Sequence, residues 1–255
     1  MIKYWNGNKS LIRQKHELFI TEKIIENAFP GNELIENTSN YSTKSSEGQI
    51  FKFGFDITTT ISGNTKFTPN SFLEIPISLC GDYLGFRNLL INEIDSSAFH
   101  FIEEKKLQQL RAGLPSCWLD KEIFKFNGYN VKECESIEHC VTLLKTREID
   151  YIPLGKFEIS ELVSENELKI NNFHIVESTA IYYDLPVVYY INPKRYDIYT
   201  TFKKECENLK NNDELCKYKH MFYTNVKCNE KIMSLVNPFL PYHPDAFALR
   251  RKWLT

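Results

Sequence analysis

Hydrophobic and polar positions along the chain switch between a two-residue and a three-to-four-residue period, and the switching predicts strands alternating with helices. Ile2 to Trp5 reads as a short strand that ends in the turn formers Asn6, Gly7 and Asn8. From Gln14 to Phe29 the apolar residues Leu18, Phe19, Ile24, Ile25 and Ala28 recur near helical spacing until Pro30-Gly31 stops them. Asn37 to Gly48 reads as a loop or weak element. Phe51 to Ile61, with alternating aromatics and threonines, reads as strand. Phe72 to Ile77 is extended, and Leu84 to Ile91 is a second apolar strand after the turn at Cys80-Gly81-Asp82.

Helices are predicted around Glu103 to Leu110 and from Trp118 to Asn127, with a turn at Gly113 to Ser116 between them. Tyr129 to Lys132 reads as strand, Ile137 to Thr146 as helix and Ile149 to Pro153 as strand, a rhythm that implies βαβ crossovers and a largely parallel sheet. His174 to Glu177 and Val187 to Ile191 are the next strands. Arg195 to Lys210 and Asp213 to Thr224 are helical, and the tail from Asn237-Pro238 to Trp253 reads as an extended strap. The strands Phe72 to Ile91 and Val187 to Ile191 bracket a complete βαβ lobe. The expected division is therefore lobe 1 at residues 1–80 and 190–255, with lobe 2 inserted at 81–189.

Composition narrows the class. At 255 residues, 42% hydrophobic and 25% charged, the chain can bury a sizeable core and is neither disordered nor fibrous. Its 31 basic and 33 acidic residues give a net charge of -2, which offers no broad attraction to nucleic acid or anionic lipid. No apolar run approaches the roughly 20 residues that span a bilayer, and the start MIKYWNGNKS lacks the apolar core of a signal peptide. The expectation is a periplasmic or other extracytoplasmic location if an export signal was removed, and a cytoplasmic one otherwise. Seven cysteines form no disulfide framework, and neither Cys134/Cys140 with His139 nor Cys206/Cys216 has the spacing of a zinc site. Buried or surface thiols are expected, with no metal ligand and no cofactor.

The order of elements resembles the type II periplasmic solute-binding proteins, above all the branch that delivers polar amino acids to ABC transporters. The segments IPISLCGDYLGFRNLLI, GLPSCWLDKEIFKFNGYNV, LLKTREIDYIPLGKFEI, PVVYYINP and NPFLP are similar to a bacterial branch of ABC-transporter substrate-binding-like proteins. Together they cover most of the chain from Ile75 onward. The resemblance implies a two-lobed α/β fold in which each lobe is a mainly parallel sheet flanked by helices. It also implies crossing strands that act as a hinge and a solute held in an interlobe cleft, at strand carboxyl ends and helix N-termini.

Candidate ligand residues follow from that rule. Ser116 to Asp120 joins a turn to a helix start, where free amides suit a ligand carboxylate and Trp118 suits stacking. The competing reading has Asp120 as a helix cap and Trp118 in the core. Cys117 at the same helix start is read as an inert thiol, since no His and acid arrangement surrounds it. In the amino-acid binders an acid beyond the strand at Asp150 to Gly155 pairs with the ligand ammonium. Here Leu154 or Gly155 stands in that place, with Glu158 one turn on as a substitute or a solvated carboxylate. The binders' Thr and forked Arg correspond in outline to Thr59, Thr60 and Lys66, although alternating threonines also follow from strand propensity alone. Tyr4 and Trp5 would form an aromatic wall at the cleft mouth, and Arg87 would brace the hinge or touch ligand.

The function expected from these residues is capture of a small polar solute, an amino acid or related zwitterion, by a monomer that reports to membrane transporter or sensor subunits. No paired catalytic carboxylates, GxSxG elbow, phosphate loop or HExxH helix is present, so no catalytic residue is assigned. A cytoplasmic enzyme on a similar scaffold and a ligand-free interaction module are the alternatives.

Overall fold

The computed structural model describes residues 1–41, 44–159, 172–223 and 231–240. In chain order the elements are β1 (Ile2–Trp5), α1 (Leu11–Ala28), β2 (Leu34–Asn37), α2 (Lys44–Glu47), β3 (Ile57–Ile61), β4 (Leu73–Ile75), β5 (Phe86–Asn92), α3 (Ser96–Phe99), α4 (Glu104–Gln109) and β6 (Ala112–Pro115). They continue with α5 (Asp120–Phe126), β7 (Val131–Cys134), α6 (Ile137–Lys145), β8 (Ile152–Gly155), β9 (Phe173–Tyr182), β10 (Val187–Ile191), α7 (Tyr196–Asn211), α8 (Glu214–Phe222) and β11 (Lys231–Ser234). The chain divides into two compact units, Met1–Tyr83 with Leu185–Val226, and Leu84–Asp184 with Lys227–Thr255.

The first unit is built on a five-stranded sheet in the order β2-β1-β3-β10-β4. β1 runs parallel to β2 and β3, while β10 runs antiparallel to both β3 and β4. α1 presents Ile20, Ile24 and Ile25 to the interior, each worth on the order of 1.5–3 kcal/mol of burial, and packs with α7 and α8. α7 buries Ile198, Phe202, Cys206 and Leu209 at helical spacing, and Phe202 meets the edge of Tyr189 on β10 with ring centroids 5.2 Å apart. α1 is tied to the same strand by a 2.8 Å hydrogen bond between the Thr21 and Tyr189 hydroxyls.

The second unit carries a four-stranded sheet, β11-β9-β5-β8, and the parallel pair β6-β7, which continues from β8 through a parallel bridge between Ala112 and Tyr151. α6 starts where Ser136 Oγ accepts the His139 amide at 3.2 Å, an N-cap of the kind Ser supplies best, and it buries Cys140, Val141, Leu143 and Leu144. These join Leu90, Ile152 and Leu154 in one core.

Both sheets are mixed. Every antiparallel pair among the described strands involves β5 or β10, the strands that begin just after the first two of the three junctions between units, Tyr83/Leu84 and Asp184/Leu185. Gly85 at the first junction is set against residue 183 at the second: the Tyr183 amide donates to the Gly85 carbonyl at 3.4 Å, and a side chain at Gly85 would collide with the Tyr183 carbonyl.

Several stretches differ from the sequence expectation, three of them in the type of element or in the unit they join. Gly113 to Pro115, read as a turn, lies in β6, because parallel pairing with β7 satisfies a fully buried backbone in spite of its Gly and Pro. Phe51 to Phe53 lies in a 3-10 turn that Gly54 closes at a φ of 88°, and strand begins only at Ile57. Lys231–Ser234, expected with lobe 1, pairs in parallel with Thr179–Tyr182 and so belongs to the sheet of the second unit. The expected strap to Trp253 lies outside the described residues beyond residue 240. Among the described residues no helix is long and apolar enough to cross a membrane.

Candidate functional site

Tyr4, Thr59, Thr60, Lys66, Arg87 and Asp120 fall into three polar clusters, two in the first unit and one in the second. The first cluster sits beneath the carboxyl end of β1. Tyr4, on β1, is fully buried, and its hydroxyl lies 2.8 Å from Asn6 Oδ1 and 2.6 Å from Thr59 Oγ1. Thr59 donates to Glu17 at 2.5 Å, and Lys9 Nζ donates to Glu17 at 2.6 Å and to the Thr59 carbonyl at 2.9 Å. Arg13 Nε completes the shell of Glu17 at 2.8 Å. Burial works against the Glu17 carboxylate, but Arg13, Lys9 and the hydrogen bonds outweigh it and hold its pKa at about 2. Burial lowers the Lys9 ammonium to about 8 against the pull of Glu17. At neutral pH this is a closed, charged network. Lys9 and Glu17 are functional candidates that sequence reasoning misses; the available signal is the four-residue spacing of Lys9, Arg13 and Glu17, which starts just before α1 and continues along it.

The second cluster lies past the carboxyl ends of β1 and β3, the place where ligands of parallel α/β sheets dock. Glu47, from the short α2, accepts from Lys66 Nζ at 2.7 Å, from Asn8 Nδ2 at 2.7 Å and from Asn64 Nδ2 at 3.3 Å. Asn64 also donates to Thr60 Oγ1 at 2.8 Å. The structure thus brings together Thr60 and Lys66 and adds Glu47, Asn8 and Asn64. Asn8 holds a φ of 55°, a left-handed conformation that Asn tolerates. Among the described residues Lys66 spends one of its three donors, on Glu47, and it keeps 17% of its side chain exposed.

Trp5 joins neither cluster. It is buried, donates from Nε1 to the Ser39 carbonyl at 2.9 Å, and packs with Ile50, Phe67, Val188 and Tyr190. The aromatic wall expected of Tyr4 and Trp5 is therefore interior structure of the first unit, because both side chains sit on a central strand with helices or loops packed over them.

In the second unit Arg87 and Asp120 meet. Arg87 Nη2 lies 2.9 Å and Nε 3.0 Å from Asp120 Oδ1, Nε also reaches the Tyr183 hydroxyl at 2.8 Å, and Nη1 donates to the Leu84 carbonyl. The Tyr183 hydroxyl donates to the same Asp120 oxygen. Burial alone would lower the Arg87 pKa; its interactions with Tyr183, Asp120 and Glu158 raise it instead. Arg87 therefore ties the Leu84 and Tyr183 junction segments to the first residue of α5, which is a brace. Tyr183 is a partner that sequence reasoning misses, since it lies between predicted strands.

Gly155 faces Arg87 across the β5–β8 ladder, and the Glu158 amide donates to its carbonyl at 2.9 Å. The Glu158 carboxylate occupies the space that a side chain at residue 155 would fill. The helix-start amides expected to be free are partly taken: the Ser116 amide donates to the Cys134 carbonyl at 2.7 Å and the Trp118 amide to the Pro115 carbonyl at 3.0 Å. Trp118 packs half-buried against the core of this unit, and Asp120 turns to Arg87 and Tyr183 without capping α5. None of the six described cysteines is joined in a disulfide, and among the described residues no three His, Cys, Asp or Glu side chains converge as a metal site.

No family model and no curated protein matches the sequence. Solved structures match its fold. The GluR0 ligand-binding core of Nostoc punctiforme in complex with L-glutamate aligns with a TM-score of 0.58 at 11% identity, over 88% of this chain and 100% of that one. A periplasmic His/Glu/Gln/Arg/opine family-binding protein of Silicibacter pomeroyi in complex with lysine aligns at 0.59 and 9%, over 88% and 97%. A histidine kinase sensor domain with similarity to periplasmic binding proteins aligns at 0.59 and 11%, over 93% of this chain and 98% of the domain. The shared architecture extends over nearly all of each chain, and the protein has the two-lobed α/β fold of the type II periplasmic binding proteins.

Proposed function

We propose that the protein captures a small polar solute, an amino acid or related zwitterion, and presents the bound state to an ABC transporter or a sensor. The observation that carries this reading is the end-to-end match to binding proteins and a sensor domain, whose own chains are covered almost completely. The Glu47–Lys66 cluster supports it: a partly exposed ammonium with donors to spare lies at the strand edge where this type of sheet takes ligands. Lys66 offers a ligand carboxylate point charge, without the two-pronged grip of Arg. The protein acts as a monomer in this reading, and no chemistry is required of it.

A thermal-shift screen of amino acids, short peptides and polyamines tests the proposal. At least one compound is expected to raise the melting temperature and to be recovered unchanged, since a ligand at about 100 times its Kd adds about 2.7 kcal/mol. Turnover of that compound supports the enzyme alternative; no shift across the panel supports the interaction module. For a stabiliser that bears a carboxylate, Lys66→Met is expected to weaken binding about tenfold or more in calorimetric titration, roughly 1.4 kcal/mol. Unchanged affinity would remove Lys66 from the site.

A further inference from the structure

The partly exposed Lys66 ammonium is held against a carboxylate that is deeper than itself: Glu47 lies 2.7 Å away, with 7% of its side chain exposed. Two asparagines fix that carboxylate. Asn8 Nδ2 donates to Glu47 Oε2 at 2.7 Å, and the same side-chain amide is anchored on the N–H and carbonyl of Tyr41. Asn64 Nδ2 donates to Glu47 Oε1 at 3.3 Å and to Thr60, while its Oδ1 accepts the Lys66 backbone amide at 3.0 Å. Both asparagines are thus committed to placing Glu47 beside Lys66. A carboxylate at this depth acts on a solute through Lys66, not by touching it.

The charges of the two first-unit clusters then set what can bind. Lys9 and Arg13 both turn on Glu17, and Lys66 turns on Glu47. Three cations against two carboxylates leave one positive charge, enough for one ligand carboxylate, and Lys66 has the spare donors to meet it. Glu36, which accepts from Asn6, is exposed, so water and salt screen it. A second carboxylate on the solute would leave water and approach Glu47 with no further unbalanced cation in these clusters to receive it. Repulsion of the wrong ligand is a common source of specificity. We propose that Glu47 is a specificity residue that limits this site to solutes with a single carboxylate and turns away dicarboxylates by keeping the charge of Lys66 in balance. The inference rests on the solute-binding reading of the same site.

The test is equilibrium dialysis of the full chain against an equimolar mixture of the standard amino acids, with the bound fraction quantified by amino-acid analysis. The wild-type protein is expected to hold amino acids with one carboxylate, and the share of aspartate and glutamate in the bound fraction is expected to fall below their share of the mixture. Glu47→Gln leaves Lys66 unbalanced and is expected to raise that share relative to the other bound amino acids by about tenfold. Glu47→Gln/Lys66→Met removes both charges and is expected to bring it back to within about threefold of the wild-type value. A merely structural loss would weaken all solutes together and leave their proportions unmoved. Wild-type protein that takes aspartate or glutamate in at least their share of the mixture overturns the proposal and leaves the solute-binding reading standing. So does an unchanged share in Glu47→Gln, or one that stays raised in the double variant. Wild-type protein that holds no amino acid overturns both. The wild-type proportions decide the matter if Glu47→Gln does not fold.

Discussion

Replacement of Arg87 by alanine is expected to cost about 3–5 kcal/mol of folding stability, enough to unfold much of the protein at room temperature. The guanidinium is nearly inaccessible and is the cationic partner of an equally buried Asp120. Its removal strands that carboxylate in the interior together with the Tyr183 hydroxyl that shares it, and it releases the carbonyl of Leu84. Two chain junctions and the start of α5 lose their common tie at once. Asp120→Ala is expected to have a comparable effect, because it leaves the buried charge on Arg87. The two residues serve one function, so the effects should not add: Arg87→Met/Asp120→Leu is expected to be less destabilised than the sum of the single changes. Urea midpoints of the three variants measure this. Single changes that cost less than about 1 kcal/mol and combine additively would show that the pair is not a brace.

Acid should weaken the first unit through His16. The imidazole is fully buried on α1, with Phe222 and Tyr223 at ring-centroid distances of 5.4 and 5.1 Å, and neither ring nitrogen has a hydrogen-bond partner among the described residues. Burial lowers its pKa from 6.5 to about 4; Glu17 opposes the shift, and Arg13 and Lys219 reinforce it. The folded protein thus holds His16 neutral, while the unfolded chain protonates it near its ordinary pKa. The stabilisation that this difference provides is complete above about pH 6.5 and is lost as the pH falls toward 4. Between about pH 7.5 and about pH 5 the loss amounts to about 2 kcal/mol. His16→Phe keeps the ring volume and removes the proton site, so its stability should fall less over that interval by the same amount. Parallel urea titrations of the two proteins at both pH values measure the difference. Equal acid losses would assign the acid sensitivity to other groups.

Elements with strong local signals are legible in the sequence alone. α1, α6 and α7 carry apolar residues at helical spacing with clear stops, and β1, β5 and β10 are compact apolar runs between turn residues. β6 is hidden because its Ala-Gly-Leu-Pro sequence carries turn formers, and only pairing with β7 makes it a strand. β11 has four residues and no distinctive period; the edge of β9 selects it. Phe51, Phe53 and Phe55 mimic a strand because they alternate. The alternation instead surrounds a 3-10 turn, where Phe51 and Phe55 pack on the Trp5 cluster.

At the candidate site the pattern reaches Thr60 and Lys66 but not Glu47, the acceptor of Lys66. Glu47 lies in a four-residue helix within a Ser- and Thr-rich stretch, where a lone acid has nothing to mark it as buried. Lys9 and Glu17 escape notice for a related reason. A charged residue on a helix reads as solvated until its partners are seen, and Thr59 comes from a strand 42 positions away from Glu17. The place of Arg87 near a glycine at the first junction marks it in the sequence as a brace or a ligand contact, whereas its partners Asp120 and Tyr183 are set by tertiary packing alone.

Native mass spectrometry of the full chain, incubated with an equimolar mixture of the standard amino acids, tests the solute-binding claim most directly. The account predicts one dominant adduct per chain, with the mass of an unmodified amino acid, that weakens in Lys66→Met. An intact, folded chain that carries no adduct, or an adduct whose mass shows the compound to have been chemically changed, would contradict it.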